Sequence, residues 1–477
     1  MKNSIMLNTD SYKVCMNRLY PPNTEYVYSF IEARGGKYAK TEFIGVARAV
    51  KELAVPITQA DIDLADKIWT LHGEPFNREG WQYILDKHNG KLPIRINAAV
   101  EGLVIPTKNV LCTVENTDPK CFWLTTWVET MLLRAIWYPT TVATISWNIK
   151  QLISEYLVKS GDPASAVWKL HNFGSRGVSS QESAAIGGMA HLANFNGTDT
   201  IEGVLEAMDV YGGDVCGWSI AASEHSTITS WGRDGEIDAY RNMVKQYGKP
   251  GAVIACVSDS YDIYAACEMW GTELKQDIID SGATVVIRPD SGDPLIVLPK
   301  MLHILEKNFG APKNDRGYKV LNNVRIIWGD GINELSIASI LRCVVDLCGY
   351  SADNIAFGMG GALLGAPQRD DISWAMKCSS VGIREVVGDT KMLGTSARYK
   401  TVWRDVYKDP ITDSGKKSKR GRVTLWKCGN EYETSVTKPT RWVDNGIEWV
   451  EALVTYFEDG EIKFTQTFEQ VRANTML

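Results

Sequence analysis

From residue 166 to residue 357 the chain repeats one pattern: a short apolar run, a polar or glycine-rich break, and a segment long enough for a helix. The runs span residues 166–173, 253–258, 283–287, 324–328 and 355–357. Runs without alternation suit strands covered on both faces, and strands separated by helix-length segments pair in parallel. A right-handed succession of such units winds into a parallel sheet with its helices outside. The pattern predicts an α/β fold whose core is an irregular βα barrel over residues 146–375.

Helical periodicity supports the assignment. Ile145, Ile149, Leu152, Ile153, Tyr156 and Leu157 share one face of a helix, after an apolar core helix expected within residues 121–138. Ile263, Cys267, Trp270 and Leu274 mark another helix. Leu298, Leu302, Leu305 and Phe309 mark a third, with Gly310 as its stop and Pro299 either kinking it or starting it. The two ends of the chain read differently. Tyr26, Tyr28 and Phe30 alternate with Val27 and Ser29, and strand-like runs occupy residues 94–100 and 109–114. Near the other end, residues 453–457 and 462–468 flank Asp459-Gly460 as a hairpin. Residues 1–145 and 376–477 are expected to combine into one β-rich α+β domain.

Composition narrows the function. The 51 basic and 57 acidic residues leave a net charge of −6, which argues against bulk electrostatic binding of nucleic acid. Ten cysteines without a CxxC pair read as reduced thiols of a cytoplasmic protein. The apolar stretch 121–138 carries Glu129 and Arg134, so a core helix is expected there and not a membrane span.

In a βα barrel the chemistry sits where the strands end. The first run ends in His171-Asn172-Phe173-Gly174-Ser175-Arg176, the second in Ser258-Asp259-Ser260-Tyr261-Asp262, and the third in Arg288-Pro289-Asp290-Ser291-Gly292. The fourth ends in Gly329-Asp330-Gly331 and the fifth in Gly358-Met359-Gly360-Gly361. Glycines let a ligand approach the backbone, and Gly360 and Gly361 suit a phosphate cradle. Asp290 and Asp330 suit ribose hydroxyls or a Mg²⁺-bound phosphate, or else cap the helices that follow. Asp199 is expected to cap the helix starting near Ile201, to meet a ligand, or to do both. His225, beside Glu224, could contact or accept a phosphoryl group. No HxxxH or HExxH spacing occurs, so no protein-held transition metal is expected.

Asp10-Ser11-Tyr12-Lys13, Arg176-Gly177-Val178-Ser179-Ser180-Gln181-Glu182, Asn196-Gly197-Thr198-Asp199-Thr200, Glu224-His225-Ser226-Thr227 and Lys419-Arg420-Gly421-Arg422, together with the second and third strand ends, run the length of the chain in order. They resemble the nicotinamide phosphoribosyltransferase family of the type II phosphoribosyltransferases. The resemblance implies that nicotinamide and 5-phosphoribosyl-1-pyrophosphate give nicotinamide mononucleotide and pyrophosphate, with Mg²⁺ held mainly through phosphates. It implies ATP coupling through a phosphohistidine at His225. It implies a homodimer in which Phe173 and the other subunit's Tyr12 sandwich the base, and Arg288 and Asp199 hold its amide beside Ser219. Arg176, Asp290, Gly329, Asp330, Gly360 and Gly361 match the ribose and 5′-phosphate site, and Asp262 is a further substrate-binding candidate. Arg34, Arg369, Lys377, Lys408 and Lys416 match a positive surface for pyrophosphate and ATP. His225, Arg288 and Asp290 are the catalytic candidates. Asn172, Ser175 and Met359 depart from the family's usual residues.

Asp199 bears on the choice of base, because a carboxylate accepts an amide N–H but repels the carboxylate of nicotinate. Nicotinate phosphoribosyl transfer is the near alternative. A barrel glycosidase using Glu224 and Asp290 is a more distant one, and it leaves the Gly and Arg strand ends unexplained.

Overall fold

The computed structural model describes residues 4–387, 398–412, 417–441 and 448–476. The chain divides into two compact units, one of residues 1–144, 210–213 and 368–477, the other of residues 145–209 and 214–367.

The second unit contains the parallel sheet. Its strands are β1 (Leu170–Asn172), β2 (Ala221–Ala222), β3 (Val253–Val257), β4 (Thr284–Arg288), β5 (Val324–Trp328) and β6 (Ile355–Met359). Their order is β1-β6-β5-β4-β3-β2, all parallel. Parallel bridges Asn172↔Thr198 and Gly197↔Trp218 carry the sheet onward from β1 toward the segment that leads into β2. The α/β barrel expected from the repeated pattern is therefore present, and it is irregular at this seam. Ala221–Ala222 is too short to leave an apolar run in the sequence. Ala255, Val286 and Ile327, from β3, β4 and β5, form one buried layer with Ala356 and Phe173 packed against it.

The first unit is built on a seven-stranded antiparallel sheet. Its order is Arg398–Asp405, Trp374–Val387, Thr24–Ala33, Val110–Asn116, Ile94–Ala99, Leu453–Glu458, Glu461–Ile462. Three strands from the N-terminal part are thus flanked on each side by two from the C-terminal part in one sheet. The last two form the expected hairpin, with Asp459 and Gly460 both at positive φ as a two-residue turn requires. Its second strand stops at Ile462, because Thr467 caps a helix, Phe468–Asn474.

Two helices run through prolines, and one of these, Pro299, is the residue expected to kink or start its helix. Glu129–Ser160 is one helix across Pro139. Proline there leaves the Ala135 carbonyl without its helical donor. Gly45 packs so closely on that carbonyl that any Cβ would collide with it. One turn on, the hydroxyls of Thr141 and Thr144 donate to the carbonyls of Trp137 and Thr140, both at 2.6 Å. Likewise Pro294–Phe309 starts five residues before Pro299, capped by Asp293. The carbonyl that Pro299 leaves free, that of Leu295, accepts the Cys343 thiol at 3.9 Å. Among the described residues no helix is long and apolar enough to cross a membrane.

Candidate active site at the ends of the barrel strands

The C-terminal ends of β1, β3, β4, β5 and β6 bring most of the candidates into the second unit. Phe173 follows β1 directly. A Cβ on Gly358 would lie 2.8 Å from its Cζ and closer still to Cδ2 and Cε2. A Cβ on Gly329 would lie 3.5 Å from Phe173 Cε2 and 3.6 Å from Asp290 Oδ1. A Cβ on Gly360 would sit 3.3 Å from the Phe173 carbonyl. The glycines at the ends of β5 and β6 therefore make the space that the aromatic ring occupies, with the Asp290 carboxylate beside it.

Asp199 forms the second feature. Its Oδ1 accepts from His171 Nε2 at 2.9 Å and from Ser219 Oγ at 2.6 Å. Its backbone N–H donates to the Asn172 carbonyl at 2.9 Å, which fixes it against β1. It does not cap the next helix: Thr198 Oγ1 takes the Thr200 N–H there instead. Burial pushes the Asp199 carboxyl up, but the hydrogen bonds from His171 and Ser219, with the charges of His171 and Arg288, hold it below the ordinary aspartate value. The Arg288 guanidinium makes no hydrogen bond or ion pair with any described residue, although its Nε is buried. An unsatisfied buried guanidinium nitrogen at a strand end is a ready partner for an anion or a carbonyl.

His225 Nε2 lies 3.0 Å from Asp259 Oδ1. Asp259 Oδ2 accepts the Asp290 N–H at 2.9 Å and the Ser291 hydroxyl at 2.5 Å. The Asp259 side chain is 5% exposed and that of His225 44%. A buried carboxylate thus orients an accessible imidazole and ties it to the β4 loop. Burial raises the Asp259 carboxyl, and its three donors outweigh that and hold it low. Carboxyls lowered by folding stabilise the fold at every pH above their ordinary value, and the contribution is lost as pH falls through the lowered one. Asp259→Asn is therefore expected to flatten the acid limb of a Tm-against-pH profile below about pH 4. Superimposable acid limbs would contradict this.

The carboxylates of Asp290 and Asp330 accept no hydrogen bond from any described residue, and the helix caps expected of them are made by Asp293 and Asn333. They are hard oxygen donors of the kind Mg²⁺ takes alongside substrate phosphates. Arg176 is exposed, and Gly360 and Gly361 pack beside Gly177. Asp262 caps Ile263–Gly271 with one carboxylate oxygen, Oδ1, which accepts from Tyr264 N at 2.9 Å and Ala265 N at 3.2 Å. Asn172 Oδ1 holds the Gly174 N–H at 2.8 Å, and Ser175 donates to Glu202 at 3.1 Å.

The remaining candidates lie in the first unit. Burial, and then the cations Arg34, Lys408 and Lys13, push the Lys377 ammonium down, with Glu129 opposing them. Arg34, Lys408 and Lys13 are thus near enough to act on the charge of Lys377, and Arg34 Nε donates to the Ser373 carbonyl at 3.0 Å. Tyr12 is 55% exposed, with the Lys13 ammonium over its ring. Arg369 pairs with the adjacent Asp370 at 3.1 Å. Lys416 lies outside the described residues. Among the described residues, the one group of three potential metal ligands is His88, Asp118 and Cys121. Asp118 there is already engaged by His88, Tyr83 and the Lys120 N–H.

Sequence reasoning did not single out Asp259 or His171 as site residues. A carboxylate after a strand looks like a helix cap, and a lone histidine looks like packing. What could have flagged Asp259 is its place directly after the apolar run of β3, where a buried carboxylate needs several donors.

Residues 168–440 match the nicotinate phosphoribosyltransferase family, and residues 4–96 match the nicotinamide phosphoribosyltransferase N-terminal domain. A nicotinamide phosphoribosyltransferase of Xanthomonas campestris is 50% identical over 477 residues, 99% of this chain and 98% of its own. Its counterpart in Mycoplasma pneumoniae is 30% identical over 87% of this chain and 94% of its own. Among solved structures, a nicotinate-nucleotide pyrophosphorylase from Pyrococcus furiosus aligns with a TM-score of 0.64 at 16% identity, covering 100% of this chain and 96% of that one. Human nicotinic acid phosphoribosyltransferase gives 0.55 at 15% identity, covering 98% and 92%. These last two establish likeness of fold. With half its residues shared with one relative over nearly the full length, the chain belongs to the nicotinamide phosphoribosyltransferases, enzymes of pentosyl transfer within the nicotinate phosphoribosyltransferase family.

Proposed function

We propose that the protein transfers the phosphoribosyl group of 5-phosphoribosyl-1-pyrophosphate to nicotinamide, releasing pyrophosphate and nicotinamide mononucleotide for NAD salvage in the cytoplasm. The observation that carries this reading is the Asp199 carboxylate. Two donors hold one of its oxygens, the other accepts no hydrogen bond from a described residue, and the adjoining His171 ring lies 5.3 Å from that of Phe173. The open oxygen suits the carboxamide N–H of a flat base lying on Phe173. A base carrying its own carboxylate meets like charge there, at a cost of several kcal/mol.

In the reaction the bond from ribose C1′ to pyrophosphate breaks and C1′ gains oxocarbenium character. The pyridine nitrogen bonds to C1′, and the electron pair of the broken bond leaves on pyrophosphate. The protein's part is positioning and charge stabilisation. Arg288 with Asp199 holds the amide. Asp290, Asp330 and the backbone at Gly329 orient the ribose. Arg176, Gly360 and Gly361 take the 5′-phosphate. Asp290 and Asp330 would serve as oxygen donors to a Mg²⁺ ion bound mainly through substrate phosphates, and the ion would supply positive charge to the leaving group. Arg34, Lys377, Lys408, Arg369 and Lys416 are the candidate cations for pyrophosphate and ATP. In a homodimer, Tyr12 of a second copy would complete the base sandwich.

His225 is assigned to ATP coupling. Asp259 occupies its Nε2, and Nδ1 has no partner among the described residues. Nδ1 would accept the γ-phosphoryl group as the bond to ADP breaks, and water would later cleave the phosphoramidate. Chromatographic quantitation of mononucleotide from nicotinamide, with and without ATP, tests both parts. The wild type is expected to form product and to gain from ATP. His225→Ala is expected to keep the ATP-independent rate and lose the gain, along with any label from γ-labelled ATP. A variant that is still stimulated by ATP would remove His225 from the coupling.

A further inference from the structure

We infer that His171 is a positioning residue for base selectivity, a clamp that holds Asp199 so that one carboxylate oxygen is committed and the other faces the base. The inference rests on the nicotinamide reading above and deepens it.

Asp199 is half exposed, its side chain retaining 49% of its accessible surface. A short carboxylate in that position rotates freely unless something holds it. Two donors do, and both converge on Oδ1: His171 Nε2 at 2.9 Å and Ser219 Oγ at 2.6 Å. Ser219 is exposed and sits on the irregular segment before β2, so it is the weaker anchor. His171 is fixed from several sides. Its backbone lies in β1, in register with Gly358 of β6. Its ring stands 5.3 Å from the Phe173 ring, at 56°. Its Nδ1 edge lies over Gly197, where a Cβ would come within 2.5 Å. Gly197 is itself bridged to Trp218, the residue before Ser219. The imidazole is thus wedged at the seam of the barrel, and its one hydrogen bond to a described residue is to the carboxylate that discriminates between bases. Through Asp199 it couples the floor of the base site, Phe173, to the group that reads the base's substituent. His171 touches none of the reacting atoms.

The test compares His171→Ala with His171→Gln, which can return an N–H to the same carboxylate oxygen. His171→Ala is expected to raise KM for nicotinamide about tenfold while kcat and KM for 5-phosphoribosyl-1-pyrophosphate stay within about twofold. That is the loss of one charge-assisted hydrogen bond. His171→Gln is expected to recover most of the KM. In parallel, ¹³C NMR of the Asp199 carboxyl is expected to show its titration moving upward in His171→Ala and back in His171→Gln. An unchanged nicotinamide KM in His171→Ala, or an equal loss in both substrates' KM and in kcat, overturns the clamp. So does an Asp199 titration that does not move. If the wild type uses no nicotinamide, the functional reading fails, while the carboxyl titration still decides whether His171 holds Asp199.

Discussion

Asp199→Asn is expected to shift the ratio of kcat/KM for nicotinate over nicotinamide upward by on the order of 10²-fold. The substitution keeps the side chain's size and its place against β1, where the backbone N–H donates to Asn172 O. The amide oxygen of asparagine can still accept from His171 and Ser219. What changes is the group facing the base: an acceptor with negative charge becomes an N–H donor. Nicotinamide loses its acceptor, and nicotinate exchanges repulsion for a hydrogen bond. The surroundings amplify the change, because Asp199 is partly buried and Arg288 lies near enough to act on its charge. With Asp199 neutralised, Arg288 is left to attract the acid. Equal losses for both bases would mean that Asp199 serves the structure of the seam and does not choose the substrate.

Gly358→Ala is expected to raise the KM for nicotinamide by at least about tenfold and to lower stability by about 1–3 kcal/mol. The added Cβ would fall inside van der Waals contact of three Phe173 ring atoms. Residue 358 cannot retreat, because β6 is paired on both sides, with β5 and with β1. The ring must therefore leave the glycine-lined slot, and Phe173, only partly buried, turns into the space where the base would lie. Steady-state kinetics with each substrate varied in turn, together with thermal unfolding, measure the two effects. An unchanged nicotinamide KM would show that Phe173 does not form the floor of the base site.

The barrel was legible because its strands are covered on both faces and so leave continuous apolar runs, each ending in polar or glycine residues. The same logic located Phe173, Arg288, Asp290 and the glycines of β5 and β6. It failed where structure comes from tertiary satisfaction of polar groups. Pro299 reads in the sequence as a kink or a start of its helix, yet the helix runs through it with the Cys343 thiol on the freed carbonyl, as another helix runs through Pro139 beside Gly45, Thr141 and Thr144. Asp262, a substrate-binding candidate by resemblance, also caps its own helix through Oδ1, a role that only the local backbone reveals. Asp259, three residues earlier, holds the imidazole of His225 and the β4 loop, and only folding brings those 30 or so residues together. The link between His171 and Asp199 is of the same kind, since the two meet only across the bridge that joins β1 to Thr198.

The most direct measurement is a competition between nicotinamide and nicotinate for the purified wild-type protein, with 5-phosphoribosyl-1-pyrophosphate and Mg²⁺, reading both mononucleotides from one mixture. The geometry of Asp199 predicts nicotinamide mononucleotide in excess by on the order of 10²-fold at equal base concentrations. Equal amounts, or an excess of nicotinate mononucleotide, would contradict it.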